Sequence, residues 1–294
     1  MPQTELLTRV KRLEDDPPIA LGSVDLTVND PVPLRRKFGE VFAYIAAVER
    51  AVTQNVAEVT TLLPDLDRVE RRFLAIWSTH ELAHAAIFDA LRAILGLGGA
   101  YPGGISSVPP APVPPLPRPS FRAFGLMATN RWLHDVFKLV YLCRGAMHEH
   151  MTYDCYRHLG AQLEALGEHA LTHTVTGPIR RQEAAHLGYY RLAAVTHRNR
   201  LTPRQIQLAR RISMQTYLPV GAGQCGKHPA GRVFSRLAGE HMDTVLDAVE
   251  VIAGELLGDG VRPLPPFVHA AMDRCFSGSP GNPAYCPSGP VRWR

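Results

Sequence analysis

Residues 69–91, VERRFLAIWSTHELAHAAIFDAL, decide how the rest of the chain reads. Val69, Phe73, Trp77, Phe88 and Leu91 recur at helical spacing, and Glu81 and His84 fall in the same stripe. Positions i and i+3 share a face of a helix, so Glu81-Leu82-Ala83-His84 can present a carboxylate and an imidazole to one point. The same tetrapeptide pattern returns at Glu183-Ala184-Ala185-His186. One copy carries little weight, since roughly one such tetrapeptide per two chains of this composition arises by chance.

Working outward, apolar periodicity predicts a helix from Leu34 to about Leu63, with Phe38, Phe42, Ile45, Val52, Val56 and Val59 on one face and Glu49 among them. Glu40 and Glu58 flank Glu49 on that helix, so its apolar neighbours single it out. Pro64-Asp65 breaks the chain before the helix that holds Glu81 and His84, which runs to about Leu95. A third helix is expected from Thr129 through Leu166, with Val136, Val140, Leu142, Glu149, Thr152, Tyr153 and Tyr156. A fourth begins near Pro178 and carries Glu183, His186 and Tyr190 to about His197. A fifth opens at Thr202-Pro203, and another spans Glu240 to Leu257. Proline and glycine cluster elsewhere, predicting an extended N-terminal arm over 1–33, a Pro-rich loop over 96–120 and an irregular tail over 258–294. The fold class that follows is all-α, with a four-helix bundle core in one helical domain at 34–257.

Composition narrows the function classes. Of 294 residues, 46% are hydrophobic and 20% charged, the balance of a folded domain. The net charge of +5 comes from scattered arginines without a concentrated stripe, which argues against nucleic-acid binding and would suit an acidic protein partner. No apolar run approaches the roughly 18 residues of a membrane span. The N-terminus has no basic region followed by an apolar core, so a cytoplasmic location is expected. Five cysteines without a C-x-x-C pair speak against a disulfide framework or a zinc knuckle, leaving a Cys275–Cys286 pair as the one to consider.

The order of candidate ligands carries the chemistry. Glu49, then Glu81 and His84, then Glu149, then Glu183 and His186 lie on four separate predicted helices. A carboxylate-bridged di-iron bundle of the ferritin-like type takes one Glu from each of two helices and a Glu-x-x-His from each of the other two. Any one of these glutamates alone reads as a solvated side chain, and either histidine as a satisfied core residue. Four carboxylates on apolar stripes need cations, because a buried unpaired charge costs several kcal/mol or more. Carboxylate and imidazole donors suit iron or manganese, and redox chemistry makes two iron ions the first choice.

At these residues the chain resembles the soluble acyl carrier protein desaturases, a ferritin-like di-iron family. Trp77 stands four before Glu81, Thr152 three after Glu149 and Tyr190 four after His186, as in that family. Val175-Thr176-Gly177-Pro178-Ile179 and Pro219-Val220-Gly221-Ala222-Gly223 extend the likeness, which covers roughly residues 34–225. The resemblance implies dioxygen as co-substrate, a ferredoxin-type electron donor, a substrate tethered to an acyl carrier protein, and a homodimer. Nucleic acid and membrane are not expected partners. It also implies that Thr152 assists protonation of bound oxygen. Trp77 reads as a core aromatic or as part of an electron path, and Tyr153, Tyr156, Tyr189 and Tyr190 as core or channel lining.

The chain departs from that family at Ala83 and Ala185, where an arginine is usual, and at His80 and Gln182, where an acid is usual. Groups around a ligand histidine tune the metal, so these changes leave the reaction open. The expected activity is dehydrogenation of a C–C bond in a carrier-bound acyl chain. The alternatives are a di-iron oxygenase, hydroxylating or N-oxygenating, of a specialised pathway, and a non-enzymatic iron-binding or scaffold bundle.

Overall fold

The computed structural model describes residues 2–63, 65–98, 130–258 and 263–277. Among them the chain is all-α, without a strand. In order the helices are α1 (Pro2–Glu14), α2 (Pro31–Arg50), α3 (Val52–Leu62), α4 (Arg68–Ile94), α5 (Arg131–Ala165), α6 (His169–Thr174), α7 (Arg180–Arg198), α8 (Pro203–Thr216), α9 (Ala222–Cys225), α10 (Lys227–Ala238), α11 (Met242–Leu257) and α12 (Phe267–Phe276). A π turn, Val175–Ile179, joins α6 to α7.

The starts of the long helices are written locally. Asp30 caps α2 through Val32 N–H, with Pro31 at the first position, where a missing N–H costs nothing. At α4, Asp67 accepts from Val69 and Glu70 N–H while Glu70 accepts from Asp67 N–H at 2.8 Å, a reciprocal box that satisfies free donors on both sides. Asn130 caps α5 through Trp132 N–H, and Thr202 with Gln205 forms a second box at α8.

Helix α4 packs along α2, and α7 along α5. Phe38, Phe42, Phe73, Phe88, Tyr156, Tyr189 and Tyr190 fill the core among these four. Full burial of each large side chain is worth about 1.5–3 kcal/mol, so this apolar packing holds the helices in register. At Gly145 on α5 the neighbouring α7 comes close: a Cβ there would stand 2.4 Å from two ring carbons of Tyr190.

The structure corrects several expectations. Residues 2–14 form a helix, not an extended arm; Val10 and Leu13 are buried, and α1 packs on α4 and α7. The segment after α1 is fastened at its far end by Glu168, whose carboxylate accepts Asn29 and Asp30 N–H at 2.9 Å each. The helix expected over 34–63 is two helices that meet at Ala51. Pro178 lies inside the π turn, and the helical stretch begins nine residues earlier at His169. Helix α12 occupies part of the expected irregular tail, with Val268, Ala271, Met272 and Cys275 in the shared core. Glu250 accepts Val268 and His269 N–H at its start. Helix α10 was not expected at all.

Most of the Pro-rich loop, the end of the tail and Cys286 lie outside the described residues. Cys143, Cys155, Cys225 and Cys275 are buried free thiols. No described helix is long and apolar enough to cross a membrane.

Candidate metal centre

The six expected ligands come from four helices: Glu49 from the last turn of α2, Glu81 and His84 from α4, Glu149 from α5, and Glu183 and His186 from α7. All six are buried, His84 and His186 completely. They form two overlapping groups, Glu49 with Glu81, His84 and Glu183, and Glu81 with Glu149, Glu183 and His186. Within each group the donor atoms lie within 4.8 Å of one another. Glu81 and Glu183 belong to both groups, so their carboxylates stand between the two positions.

The separations match donors that share a cation. Two donors each about 2.1 Å from one ion and at right angles to each other stand about 3.0 Å apart. His84 Nδ1 is 3.1 Å from Glu183 Oε1 and 3.3 Å from Glu81 Oε2; His186 Nδ1 is 3.1 Å from Glu81 Oε1 and 3.7 Å from Glu149 Oε2. Glu183 Oε1 and His186 Nδ1 are buried without a hydrogen bond of good geometry, which leaves both able to serve as donors to a cation. The residues therefore fit a metal site built from oxygen and nitrogen donors without thiolate.

Electrostatics agree. Burial, then repulsion from Glu81, pushes Glu149 up to about 8 and raises Glu183 well above the usual carboxylate range. Glu49 is raised by burial and by Glu81 and Glu183, although the Tyr156 hydroxyl donates to its Oε1 at 2.7 Å. Glu81 is the exception: burial opposes its charge, but His186 and His84 overcome it and hold the carboxyl low. Burial also disfavours charge on His84, yet Glu183 and Glu81 lift it to about 10. Gathered in one buried cluster, these carboxylates need protons or cations to offset their charge.

The outer faces of both ligand histidines are fixed by residues from the opposite helix. His84 Nε2 lies 2.9 Å from Gln182 Oε1, and Gln182 Nε2 donates to Pro17 O at 3.0 Å. His186 Nε2 lies 3.0 Å from His80 Nδ1, and His80 Nε2 lies 2.9 Å from Asp16 O. A carbonyl can only accept, so His80 carries its proton on Nε2 and Gln182 turns its NH2 outward. His80 Nδ1 and Gln182 Oε1 must then accept from the two ligand histidines. This keeps the Nε2 protons of His84 and His186 pointed away from the site and turns their Nδ1 atoms toward the carboxylates. Burial and the nearby His186 and His84 hold His80 down to about 4, which keeps it neutral.

The sequence places His80 and Gln182 among the groups around the candidate ligand histidines, without showing that each reaches the histidine of the opposite helix. Their i, i+4 spacing to His84 and His186 was the signal that places them on the same face. Tyr156 was read as core or channel lining; it is core, stacked on Phe88 at 5.9 Å, and also the hydrogen-bond donor to Glu49. Trp77 stacks beside Phe73 and meets Tyr190 edge-on at 6.0 Å. Its buried indole N–H, without a well-formed hydrogen bond, is near enough to Glu149 to favour the charged form. Thr152 is half-buried three residues beyond Glu149. Tyr153 lies outside this cluster, beneath Arg180 at 4.0 Å. Glu40 is taken up by Arg232 and Arg236, and Glu58 accepts from Gln54.

No family model, curated protein or solved structure matches this chain. Fold and site alone define its class: an all-α protein with a buried group of glutamates and histidines close enough to hold metal.

Proposed function

We propose that the chain is an oxygen-dependent non-haem di-iron oxidoreductase of the ferritin-like type that dehydrogenates a C–C bond of an acyl chain on an acyl carrier protein. The observation that carries this reading is the pair of overlapping donor groups sharing Glu81 and Glu183 inside an apolar core. The ligand order and the resemblance of residues 34–225 to the soluble desaturases support the choice among di-iron activities.

Glu49 with His84, and Glu149 with His186, would hold one iron each, and Glu81 and Glu183 would bridge. Bound iron supplies dioxygen activation and one-electron redox chemistry. In the overall balance, dioxygen takes two electrons and two protons from a CH–CH unit. A ferredoxin-type donor provides two further electrons, solvent provides two protons, and two waters leave. Tyr156 holds Glu49 by one oxygen and leaves the other for metal. His80 and Gln182 orient the two imidazoles, Thr152 supplies a hydroxyl near Glu149 for proton delivery, and the surrounding aromatic rings exclude water.

The test is anaerobic reconstitution with ferrous iron, metal analysis and Mössbauer spectroscopy. Two iron ions per chain with coupled spins are expected. Turnover with reduced ferredoxin and acyl carrier protein substrates should then remove two hydrogens, read as a loss of two mass units. A chain that takes up no iron ends the proposal. A second reading, a di-iron oxygenase, is favoured by the uncharged partners of both ligand histidines, His80 and Gln182. A gain of sixteen mass units on the same substrates would select it.

A further inference from the structure

We infer that docking of the N-terminal segment at Asp16 and Pro17 sets how tightly the centre holds metal, with His80 and Gln182 as crossed positioning residues that transmit the docking to His186 and His84. The inference rests on the metal-centre reading above and goes beyond it.

Both connecting side chains are completely buried, so water cannot replace a lost partner without opening the core. Each needs its carbonyl to be oriented. Without Pro17 O, the Gln182 amide can turn over and present NH2 to His84 Nε2, donor against donor. Without Asp16 O, the His80 proton is free to move to Nδ1 and face the Nε2 proton of His186. An acidic side chain in either place would accept from the histidine whatever the segment did. Here neither partner is an acid, and orientation is delegated to two consecutive backbone carbonyls.

The segment that supplies those carbonyls is anchored on one side by the buried Val10 and Leu13 and on the other by Glu168 at Asn29 and Asp30. Between these anchors it is held from outside by groups that water reaches: Arg181 binds Asp16 at 2.9 Å and Arg72 binds Glu14 at 2.8 Å, and both pairs are partly exposed. Exposed ion pairs of this kind are weak. The stretch at Asp16 and Pro17 is thus coupled to the candidate ligands and able to open locally between its two anchors.

Binding of Mn2+ to the metal-free full chain, followed by the electron paramagnetic resonance of free Mn2+, tests the inference. His80→Leu and Gln182→Leu remove donor and acceptor together and should weaken Mn2+ binding by about 10–100-fold, the usual effect of losing a histidine's outer partner. His80→Leu should affect chiefly the ion on the Glu149 and His186 side, and Gln182→Leu the ion beside Glu49 and His84. His80→Gln keeps an amide donor for Asp16 O and an acceptor for His186, and should stay within a few-fold of the parent.

Linkage is reciprocal, so Mn2+ should slow amide exchange over residues 10–25 of the parent by a similar factor. That slowing should be absent in the double leucine variant. If the parent binds no Mn2+, the metal-centre reading itself fails. If the parent binds and either leucine variant binds equally well, or if exchange over 10–25 is unchanged by Mn2+ in the parent, the inference is overturned and the centre stands. The exchange measurement on the parent decides the matter even where a leucine variant does not fold.

Discussion

Filling the centre with two divalent ions at pH 6 should expel protons. Metal-free, Glu149, pushed up to about 8, and His84, lifted to about 10, each hold a proton at that pH; burial and their neighbours raise Glu49 and Glu183 as well, while Glu81 is held low. Ligation needs charged carboxylates and neutral imidazoles, so at least the protons of Glu149 and His84 leave as the metals arrive. Glu149 alone, at about 8, lies two units above pH 6, which weakens apparent binding about 100-fold, or about 3 kcal/mol. Replacing Glu149 by Gln removes that proton, so the count should drop by one and the pH dependence should become shallower by one proton. Anaerobic calorimetry with Mn2+ in two buffers of different ionisation enthalpy reads the count directly. Release of fewer than two protons by the parent, or equal release from parent and variant, would refute the reasoning.

Thermal melts of the metal-free protein should show stability falling from pH 7 to pH 9. Carboxyls raised in the folded state stabilise below the unfolded value near 4.5 and lose that contribution as pH rises through their folded values, and raised His84 does the same from 6.5 to about 10; lowered Glu81 opposes below pH 4.5, and the lowered His80, His148, His150, His158 and His197 oppose below about 6.5. Metal should therefore stabilise more as pH increases; a Tm that climbs over this range without metal contradicts the assignment. Tyr156→Phe leaves Glu49 Oε1 without its 2.7 Å donor and should cost about 1–3 kcal/mol in urea unfolding of the loaded protein, and an unchanged midpoint would mean the hydroxyl contributes nothing. Gly145→Ala drives a methyl into Tyr190 and should destabilise by about 1–3 kcal/mol, seen as a lower Tm; no change would mean α5 and α7 separate freely.

The meeting of the six candidate ligands in one place was legible because their constraint is periodic. Glu81 with His84, and Glu183 with His186, repeat a spacing that only a helix turns into a shared direction, and apolar neighbours marked Glu49 and Glu149 as inward. The second layer was not legible as such, because His80 and Gln182 act across to the opposite helix and through carbonyls that any residue carries. Backbone acceptors leave no trace in side-chain identity. Helix α1 was overlooked for a local reason: Asp15-Asp16-Pro17-Pro18 coloured the whole arm, although Leu6, Val10 and Leu13 already show a helical stripe. Helix α10 interrupts a glycine-rich region, and its burial depends on α12 packing so closely that a Cβ at Gly231 would stand 2.5 Å from Cys275 O.

The π turn at Val175–Ile179 bears on how this protein can change over time. A π turn is in effect one residue inserted into an α-helix, and each residue advances the helix by about 100°. A single deletion there would leave the helix continuous yet rotate everything downstream, swinging Glu183 and His186 off their shared direction together. Point substitutions around the turn are survivable one by one, whereas a one-residue change of length is not. Descendants of this chain should therefore keep the count of residues between His169 and Glu183 even where the letters drift.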